Sequence, residues 1–321
     1  MLIKGWQLPL CLGLAAMSQQ TLASAEISRE QAFRVGSVDL SLGVGVLNGQ
    51  GRETVYDVDR GGRKLSQLNW DIKLQPTLHL GLAYHPTDWL SLEARGWTRI
   101  ANGNGHMKDY DWLDERTSDW TDYSTHPDTR VQKAWQAELA ATLWLLKRED
   151  FALGALLGYQ RSEFGWQTRG GSYTYSYAGR RDMSGEFPDD EKGISYQQTY
   201  STPYIGLVGA YRMGDWALEG RFKYSQWVKS GDFDTHHMRD LTFRGERDNA
   251  GRMHGLAMAL SWQATPNLSL KAGVDYQVHA ESKGGTMIHD LSDGSQDWYG
   301  GNSGGQSMRT VLSSLSVGYR F

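Results

Sequence analysis

Several stretches of the chain alternate apolar and polar residues with a period of two. In residues 268–280 every even-numbered position is apolar, and nearly every odd-numbered position is polar. Residues 67–74, 90–96 and 216–225 show the same alternation. Because successive side chains of a β-strand point to opposite faces, the pattern predicts strands with one apolar face.

The connections between these strands alternate between tight and long. Tight turns are predicted at residues 85–88, 147–150, 212–215 and 264–267, and long polar loops near residues 50–63, 99–129, 168–194, 229–249 and 284–306. Four turns and five loops join ten strands. The sequence therefore predicts an all-β fold, a ten-stranded antiparallel transmembrane β-barrel with five long extracellular loops and four short periplasmic turns. A soluble sandwich is disfavoured because the strands often exceed the ~9–11 residues that cross a membrane.

The polar faces of these strands carry charges of both signs. We expect them to point into a narrow lumen and to pair across it, which disfavours a diffusion pore. These residues are Lys73, Glu93, Arg95, Glu138, Arg221, Lys223 and Asp275. The alternating end of the chain, Leu315 to Phe321, resembles the terminal-strand signature that the barrel assembly machinery recognises.

The N-terminus has the pattern of a secretory signal. Lys4 precedes the apolar stretch Leu8 to Met17, and Ala23-Ser24-Ala25 forms a small-x-small cleavage site. We predict a cleaved signal peptide at residues 1–25 and a single barrel domain at 26–321. The formal charge of −4 becomes −5 once Lys4 is removed. This acidic balance gives no nucleic-acid footprint and favours cationic partners.

Two short acidic segments lie in the predicted long loops on the same side of the barrel. They are Asp109-Tyr110-Asp111-Trp112 and Asp232-Phe233-Asp234-Thr235-His236. Residues i and i+2 of an extended chain share a face, and the two loops lie nearly opposite in a ring of ten strands. Solvated acidic loops are one explanation. The other is hydrolysis, in which His236 deprotonates a water and Asp234 fixes the imidazole tautomer.

Other catalytic motifs have little support in the sequence. No His-Glu-x-x-His or Gly-x-Ser-x-Gly segment is present, and the glycine-rich residues 300–305 follow no strand-to-helix pattern. We therefore expect no metal ion or organic cofactor. Loop aromatics could line a substrate groove or pack at the membrane interface, namely Trp112, Trp120, Tyr123 and Trp298.

Several motifs in order resemble the omptins, outer-membrane proteases of Gram-negative bacteria. The motifs are Asp109-x-Asp111-Trp112, His126-Pro127-Asp128-Thr129, Arg169-Gly170-Gly171-Ser172-Tyr173, Pro203-Tyr204-Ile205-Gly206-Leu207 and Asp232-x-Asp234-x-His236. The resemblance implies a ten-stranded barrel and an endopeptidase that cleaves at basic residues, with its active site facing the extracellular side. It implies a catalytic Asp109–Asp111 couple, a catalytic Asp234–His236 dyad, and a P1 pocket formed by Glu53 and Asp232.

Omptins are also associated with lipopolysaccharide through an aromatic-x-acidic-x-basic row. Here the row is Tyr159-x-Arg161-x-Glu163, so the acidic and basic residues have exchanged places. On the next strand, Thr199 occupies a position that is basic in the omptin pattern. We expect lipopolysaccharide or another outer-membrane lipid as a partner and candidate activator, besides cationic peptide or protein substrates. The competing hypothesis is a non-proteolytic adhesin that binds cationic partners through the same acidic segments.

Overall fold

A computed structural model describes residues 35–321, except for the side chains of residues 248–250. The predicted signal peptide, residues 1–25, lies outside the described residues. The strands are β1 (Val38–Asp57), β2 (Arg63–Tyr84), β3 (Leu90–Arg99), β4 (Gly103–Asp111), β5 (Asp122–Lys147), β6 (Phe151–Tyr175), β7 (Met183–Met213), β8 (Trp216–His236), β9 (Leu241–Gln263), β10 (Leu268–Asp290) and β11 (Gln296–Arg320). A 3-10 turn, His237–Arg239, follows β8. No helix in residues 35–321 has the length and apolar character needed to cross a membrane.

The strands form one closed antiparallel ring. Apart from β3 and β4, strands that are neighbours in sequence pair with each other, and β11 pairs with β1 to close the sheet. Strands β3 and β4 both lie between β2 and β5, so they are two pieces of one wall position. The eleven strands therefore occupy ten positions, which confirms the predicted barrel.

Apolar side chains face outward in the half of the barrel next to the short turns. Leu80, Leu157 and Leu315 are 59%, 64% and 64% exposed. Aromatic pairs lie close to the turns, such as Trp216 with Trp262. This band is the membrane-facing surface that the alternation predicts, because every second residue there meets an apolar medium.

The five predicted polar connections are present, but most of their residues belong to paired strands. The strands continue as hairpins well beyond the apolar band, and tips of four to ten residues separate them, at residues 58–62, 112–121, 176–182, 237–240 and 291–295. The alternation weakens in these extensions because the outer face now meets water and no longer needs apolar residues. Backbone pairing continues nonetheless, since it satisfies the N–H and C=O groups whatever the side chains are. Both acidic segments consequently lie on strands.

Inside the apolar band, charged side chains pair across the lumen as predicted. Lys223 and Arg95 each donate to Glu138 at 2.6 Å, and Arg221 donates to Glu93 at 2.8 Å. The Lys223 and Arg221 contacts cross the lumen from β8 to β5 and β3, whereas Arg95 and Glu138 are paired on neighbouring strands. They fill the interior next to the short turns with compensated charge.

The predicted inward position of Lys73 is wrong. Leu74 has a φ of 49°, and the pairing of β1 with β2 shifts register between Leu47 and Gly49. This irregularity reverses the faces of β2, so the Lys73 side chain is 52% exposed. Beyond it Trp70 and Ile72 turn inward and are fully buried.

An aromatic layer lies above the ion pairs. The Trp70 and Tyr196 rings stack with centroids 5.1 Å apart, and Trp166 stacks on Tyr196 at 6.0 Å. All three side chains are at most 2% exposed. This layer fills the lumen and forms the floor on which the acidic residues of the hairpin end lie.

Candidate active site

The acidic residues collect at the hairpin end of the barrel, on three wall positions. Asp109 and Asp111 end β4, Asp232, Asp234 and His236 end β8, and Glu53 lies on β1. In both acidic segments the residues two apart share a strand face, because side chains alternate along an extended chain. That alternation directs each set toward the same interior.

Asp234 and His236 form a hydrogen-bonded dyad. The imidazole Nε2 lies 2.8 Å from Asp234 Oδ2, and the Asp234 side chain is almost completely buried. A carboxylate is an acceptor only, so Nε2 carries the proton and Nδ1 is left to accept one. The second Asp234 oxygen is buried and has no hydrogen-bond partner among the described residues.

Asp109 and Asp111 form a second, coupled pair. The Ser66 hydroxyl on β2 donates to Asp109 Oδ1 at 3.0 Å. Burial raises the pKa of Asp109 well above its usual range, and the charge of Asp111 raises it further. Burial also raises the pKa of Asp111, to about 6. The couple therefore keeps a proton at pH values where isolated carboxyls are ionised.

The two couples interact electrostatically across the cleft. The charge of Asp234 contributes to the raised pKa of Asp109, whereas His236 and Arg239 oppose the rise in the pKa of Asp111. The structure thus brings together two acidic segments that are more than a hundred residues apart in the sequence. An imidazole thus lies near a carboxyl pair whose pKa values are raised, and this combination of a base with an acid is suited to activating a water molecule.

Glu53 and Asp232 lie beside this centre. Burial raises the pKa of Glu53 well above its usual range, and Asp234, Asp232 and Asp109 reinforce the rise. The Tyr196 hydroxyl of the aromatic floor donates to Asp232 at 3.2 Å. Two buried carboxyl groups near a reactive centre form a pocket that favours a cationic side chain.

The sequence did not reveal a cation in that pocket. Arg247 on β9 donates from Nη2 to both oxygens of Asp232, at 2.8 and 2.7 Å. Residues 229–249 were expected to form a polar loop, and an arginine in such a loop is normally solvated, so Arg247 was not identified as a site residue. The alternation of side chains along β9 is the signal that could have identified Arg247. Gly245 pairs with Asp232, and Arg247 lies two residues further on, on the same strand face.

Three further residues near the aspartate couple escaped the sequence analysis. Ser66 holds Asp109, Arg239 follows the dyad, and Tyr175 ends β6. Burial raises the pKa of Tyr175 to about 12, with contributions from Asp109 and Asp111. None of the three belongs to a motif, so only the fold could place them here.

Three of the four aromatic residues named in the sequence belong to one ring cluster. Trp120 and Tyr123 pack with Tyr110 and Trp112 at the tip of the β4–β5 hairpin, with the rings of Tyr110 and Tyr123 4.8 Å apart. Trp298 lies on β11 instead. Tyr110 lies between Asp109 and Asp111 and pairs with Tyr123 across β4 and β5, so the cluster lies on the opposite strand face from the two carboxyls.

The His126 motif has a structural contact outside this centre. His126 is 3% exposed, and its Nδ1 lies 2.6 Å from the carbonyl oxygen of Gly170. The next residue, Gly171, has a φ of 113° and comes so close to Thr125 that a side chain would collide with it. The His126 and Arg169 motifs therefore meet and fix the β5–β6 pairing.

The Tyr159-x-Arg161-x-Glu163 row faces outward near the upper edge of the apolar band. Lys133 donates to Glu163 at 2.7 Å, and Arg161 donates to Ser201 at 3.2 Å. Thr199 pairs with Glu163 across β6 and β7. Lys133 therefore supplies a cation beside the acidic residue, which the row alone did not show.

A closed barrel with an acidic cleft at one rim belongs to the class of outer-membrane β-barrel proteins. The omptin family model matches residues 34–321. The chain is 40% identical to the plasminogen activator of Yersinia pestis over 285 residues, covering 89% of this chain and 90% of that protein. It is 33% identical to the outer membrane protease OmpP of Escherichia coli over 312 residues, covering 97% and 98%.

Solved structures agree with these relatives. The crystal structure of the outer membrane protease OmpT from Escherichia coli superposes with a TM-score of 0.85 at 33% identity, covering 89% of this chain and 97% of that chain. The chain belongs to the omptin family. It is a peptidase of the Gram-negative outer membrane.

Proposed function

We propose that this protein is a surface endopeptidase that cleaves next to basic residues with an activated water. The observation that carries the proposal is the 2.8 Å contact between Asp234 and His236, opposite the coupled Asp109–Asp111 pair. This geometry supports an aspartic-type mechanism in which no side chain becomes covalently attached to the substrate.

In the proposed reaction, His236 Nδ1 takes a proton from a water held between the two couples. The water oxygen bonds to the substrate carbonyl carbon while Asp234 stabilises the imidazolium. The proton shared by Asp109 and Asp111 provides a donor for the developing oxyanion. Collapse of the tetrahedral intermediate breaks the C–N bond, and His236 returns its proton to the leaving amine.

Specificity for basic residues is supported by the acidic pocket. Glu53 and Asp232 lie beside the dyad, and the Glu53 Oε2 atom is buried without a hydrogen-bond partner among the described residues. A Lys or Arg side chain at P1 could supply that partner through a charge-assisted hydrogen bond. We propose cationic peptides as the substrate class.

We propose that the cleft faces the extracellular side. Support comes from the asymmetry of the barrel, since its short turns lie at one end and its extended hairpins and acidic residues at the other. Outer-membrane barrels place short turns in the periplasm. A surface-exposed cleft gives access to large substrates.

Lipopolysaccharide is proposed as a partner of the outward surface. The support is the row of Tyr159, Arg161 and Glu163, which faces outward with Lys133 beside it. Tyr159 is 45% exposed. The arrangement combines an aromatic surface with two cations, although Glu163 adds an opposing charge.

The test is a cleavage-site profile of a peptide library, with and without lipopolysaccharide. Mass spectrometry of the products from the refolded protein should show cuts beside Arg or Lys, and faster cutting when lipopolysaccharide is present. Binding of cationic peptides without any cleavage would favour the adhesin hypothesis. Cuts that ignore charge would contradict the proposed specificity, and equal rates in both arms would contradict lipid activation.

A further inference from the structure

Arg247 occupies the acidic pocket as an internal cation. Besides its two contacts to Asp232, the guanidinium donates from Nη1 to the carbonyl oxygen of Gly285 at 3.0 Å. The side chains of Arg247 and Asp232 are only 2% and 5% exposed. The guanidinium is therefore held by several bonds in the space that a substrate's basic side chain would approach.

The backbone around the pocket leaves room for this guanidinium. Gly245 lies opposite Asp232 in the β8–β9 pairing, and a Cβ at this position would collide with both Asp232 and Arg247. A Cβ at Gly304 would come within 2.9 Å of both terminal nitrogens of Arg247. Side chains at either position would displace the ion pair, so the ion pair fits a site that two glycines keep open.

The ion pair changes the charge that a substrate meets. Glu53 and Asp232 together carry two negative charges when ionised, and Arg247 compensates one of them. Arg247 also opposes the rise in the pKa of Glu53, so its charge reaches both carboxyls. An incoming P1 cation would meet one uncompensated carboxylate and a fixed positive charge.

We propose that Arg247 determines the P1 specificity of this enzyme, by satisfying Asp232 and weakening the preference for a basic P1 residue. The inference rests on the proposed function. Glu53 retains a preference for Lys or Arg, but neutral polar P1 residues compete better than they would in a pocket with two free carboxylates. Removing the charge of Arg247 should sharpen selectivity, because Asp232 then becomes available to the substrate.

The experiment compares kcat/KM for two peptides that differ only at P1, Arg in one and Gln in the other. In Arg247→Met the Arg/Gln ratio should rise by about ten-fold or more. Arg247→Lys keeps the charge and should stay near the unaltered ratio. The matched control is Arg244→Met, on the same strand but exposed and directed toward Phe233, which should leave the ratio unchanged.

A charge-balanced variant covers the case in which Arg247→Met fails to refold with a buried, unpaired Asp232. Asp232→Asn with Arg247→Met keeps the single negative charge of Glu53, so its ratio should match that of the unaltered protein. Glu53→Gln should bring the ratio close to one, because this variant loses the only carboxylate of the pocket that Arg247 does not compensate.

Different results distinguish failure of the proposed role of Arg247 from failure of the proposed protease function. An unchanged or lower ratio in Arg247→Met would overturn the role of Arg247. So would a Glu53→Gln variant that keeps its selectivity while Asp232→Asn loses it. If the unaltered protein and Arg244→Met cleave neither peptide, the proposed function fails and the inference fails with it. Cleavage of both peptides at equal rates by every variant contradicts the proposed specificity for basic residues and the inference with it. A preference for the Arg peptide that stays the same in Arg247→Met overturns the inference alone.

Discussion

At the scale of single residues, burial gives ordinary carboxyl groups unusual properties. Asp109 and Asp111 keep a proton to higher pH than isolated carboxyls, because burial disfavours their charged forms and the charge of Asp111 opposes that of Asp109. Ser66 positions one of them, and His236 faces the other. The site thus combines an acid and a base without any residue type that is rare in proteins.

Asp111→Asn should stabilise the barrel at high pH while reducing activity. The pKa of Asp111 rises from 3.8 to about 6 in the folded protein, so ionisation destabilises the fold as pH rises through this interval. Asn removes that cost, on the order of 1–3 kcal/mol above pH 6. Urea denaturation should show a higher midpoint for the variant at pH 8 and no gain at pH 4.

The same variant should cleave an Arg-Arg peptide about 100-fold more slowly or worse, since an amide cannot share the proton. Equal denaturation midpoints for the variant and the unaltered protein at pH 8 would contradict the raised pKa of Asp111. A gain in midpoint of equal size at pH 4 and pH 8 would contradict it too. Unaltered cleavage would remove Asp111 from the reaction.

At the scale of strands and hairpins, the sequence predicted positions inside the apolar band better than those beyond it. Alternation identified the outward faces of β3, β8 and β10, because lipid contact demands apolar residues at every second position. It could not show that β2 reverses its faces at Leu74, since either face of residues 67–74 fits the pattern. Alternation also could not distinguish a hairpin whose outer face is solvated from an irregular loop.

Site contacts between residues close together in the sequence were predictable, whereas contacts that depend on how two strands pair were not. Asp234 and His236 lie two residues apart, and their contact follows from alternation. Arg247 reaches Asp232 only because β9 pairs with β8 at Gly245. A charged residue in a polar segment gives no sign of being buried, so Arg247 required the structure.

The β6–β7 hairpin contains a dibasic pair, Arg180–Arg181, that its own turn protects. Asp182 accepts hydrogen bonds from the backbone of residues 177–179, and the Arg181 guanidinium lies 3.4 Å from the Trp120 ring. Asp182→Ala should loosen this turn and accelerate self-cleavage at Arg180–Arg181. Mass spectrometry of concentrated protein over time would measure the rate.

Lys147–Arg148, in a short turn at the opposite end, provides an internal control and should stay intact in both proteins. Equal rates of cleavage at Arg180–Arg181 with and without the Asp182 substitution would show that the turn gives no protection.

At the scale of the whole molecule, the interior has two layers of different chemistry. Ion pairs fill the lumen within the apolar band, and an aromatic floor separates them from the cleft. Contacts in both layers join strands far apart in sequence. This interior gives the cleft a rigid base, which supports catalytic groups within narrow distances.

Lys223→Met should destabilise the barrel by about 3 kcal/mol, because it removes one of the two cations that pair with Glu138 in the interior, the one whose side chain is itself buried. Replacing Glu138 by Gln in the same protein should recover most of the loss. The midpoint of urea denaturation in detergent micelles would measure both changes. An unchanged midpoint in the single variant would contradict the ion-pair layer.

The central claim, that His236 activates water with Asp234, is tested most directly by comparing two neighbouring histidines. His237 Nε2 lies 2.8 Å from the Ser195 hydroxyl, whereas the hydrogen bond to Asp234 is made by His236. His236→Ala should reduce kcat/KM for an Arg-Arg peptide by about 100-fold or more, whereas His237→Ala should retain activity near that of the unaltered protein. Full activity in a folded His236→Ala barrel would contradict the proposed mechanism.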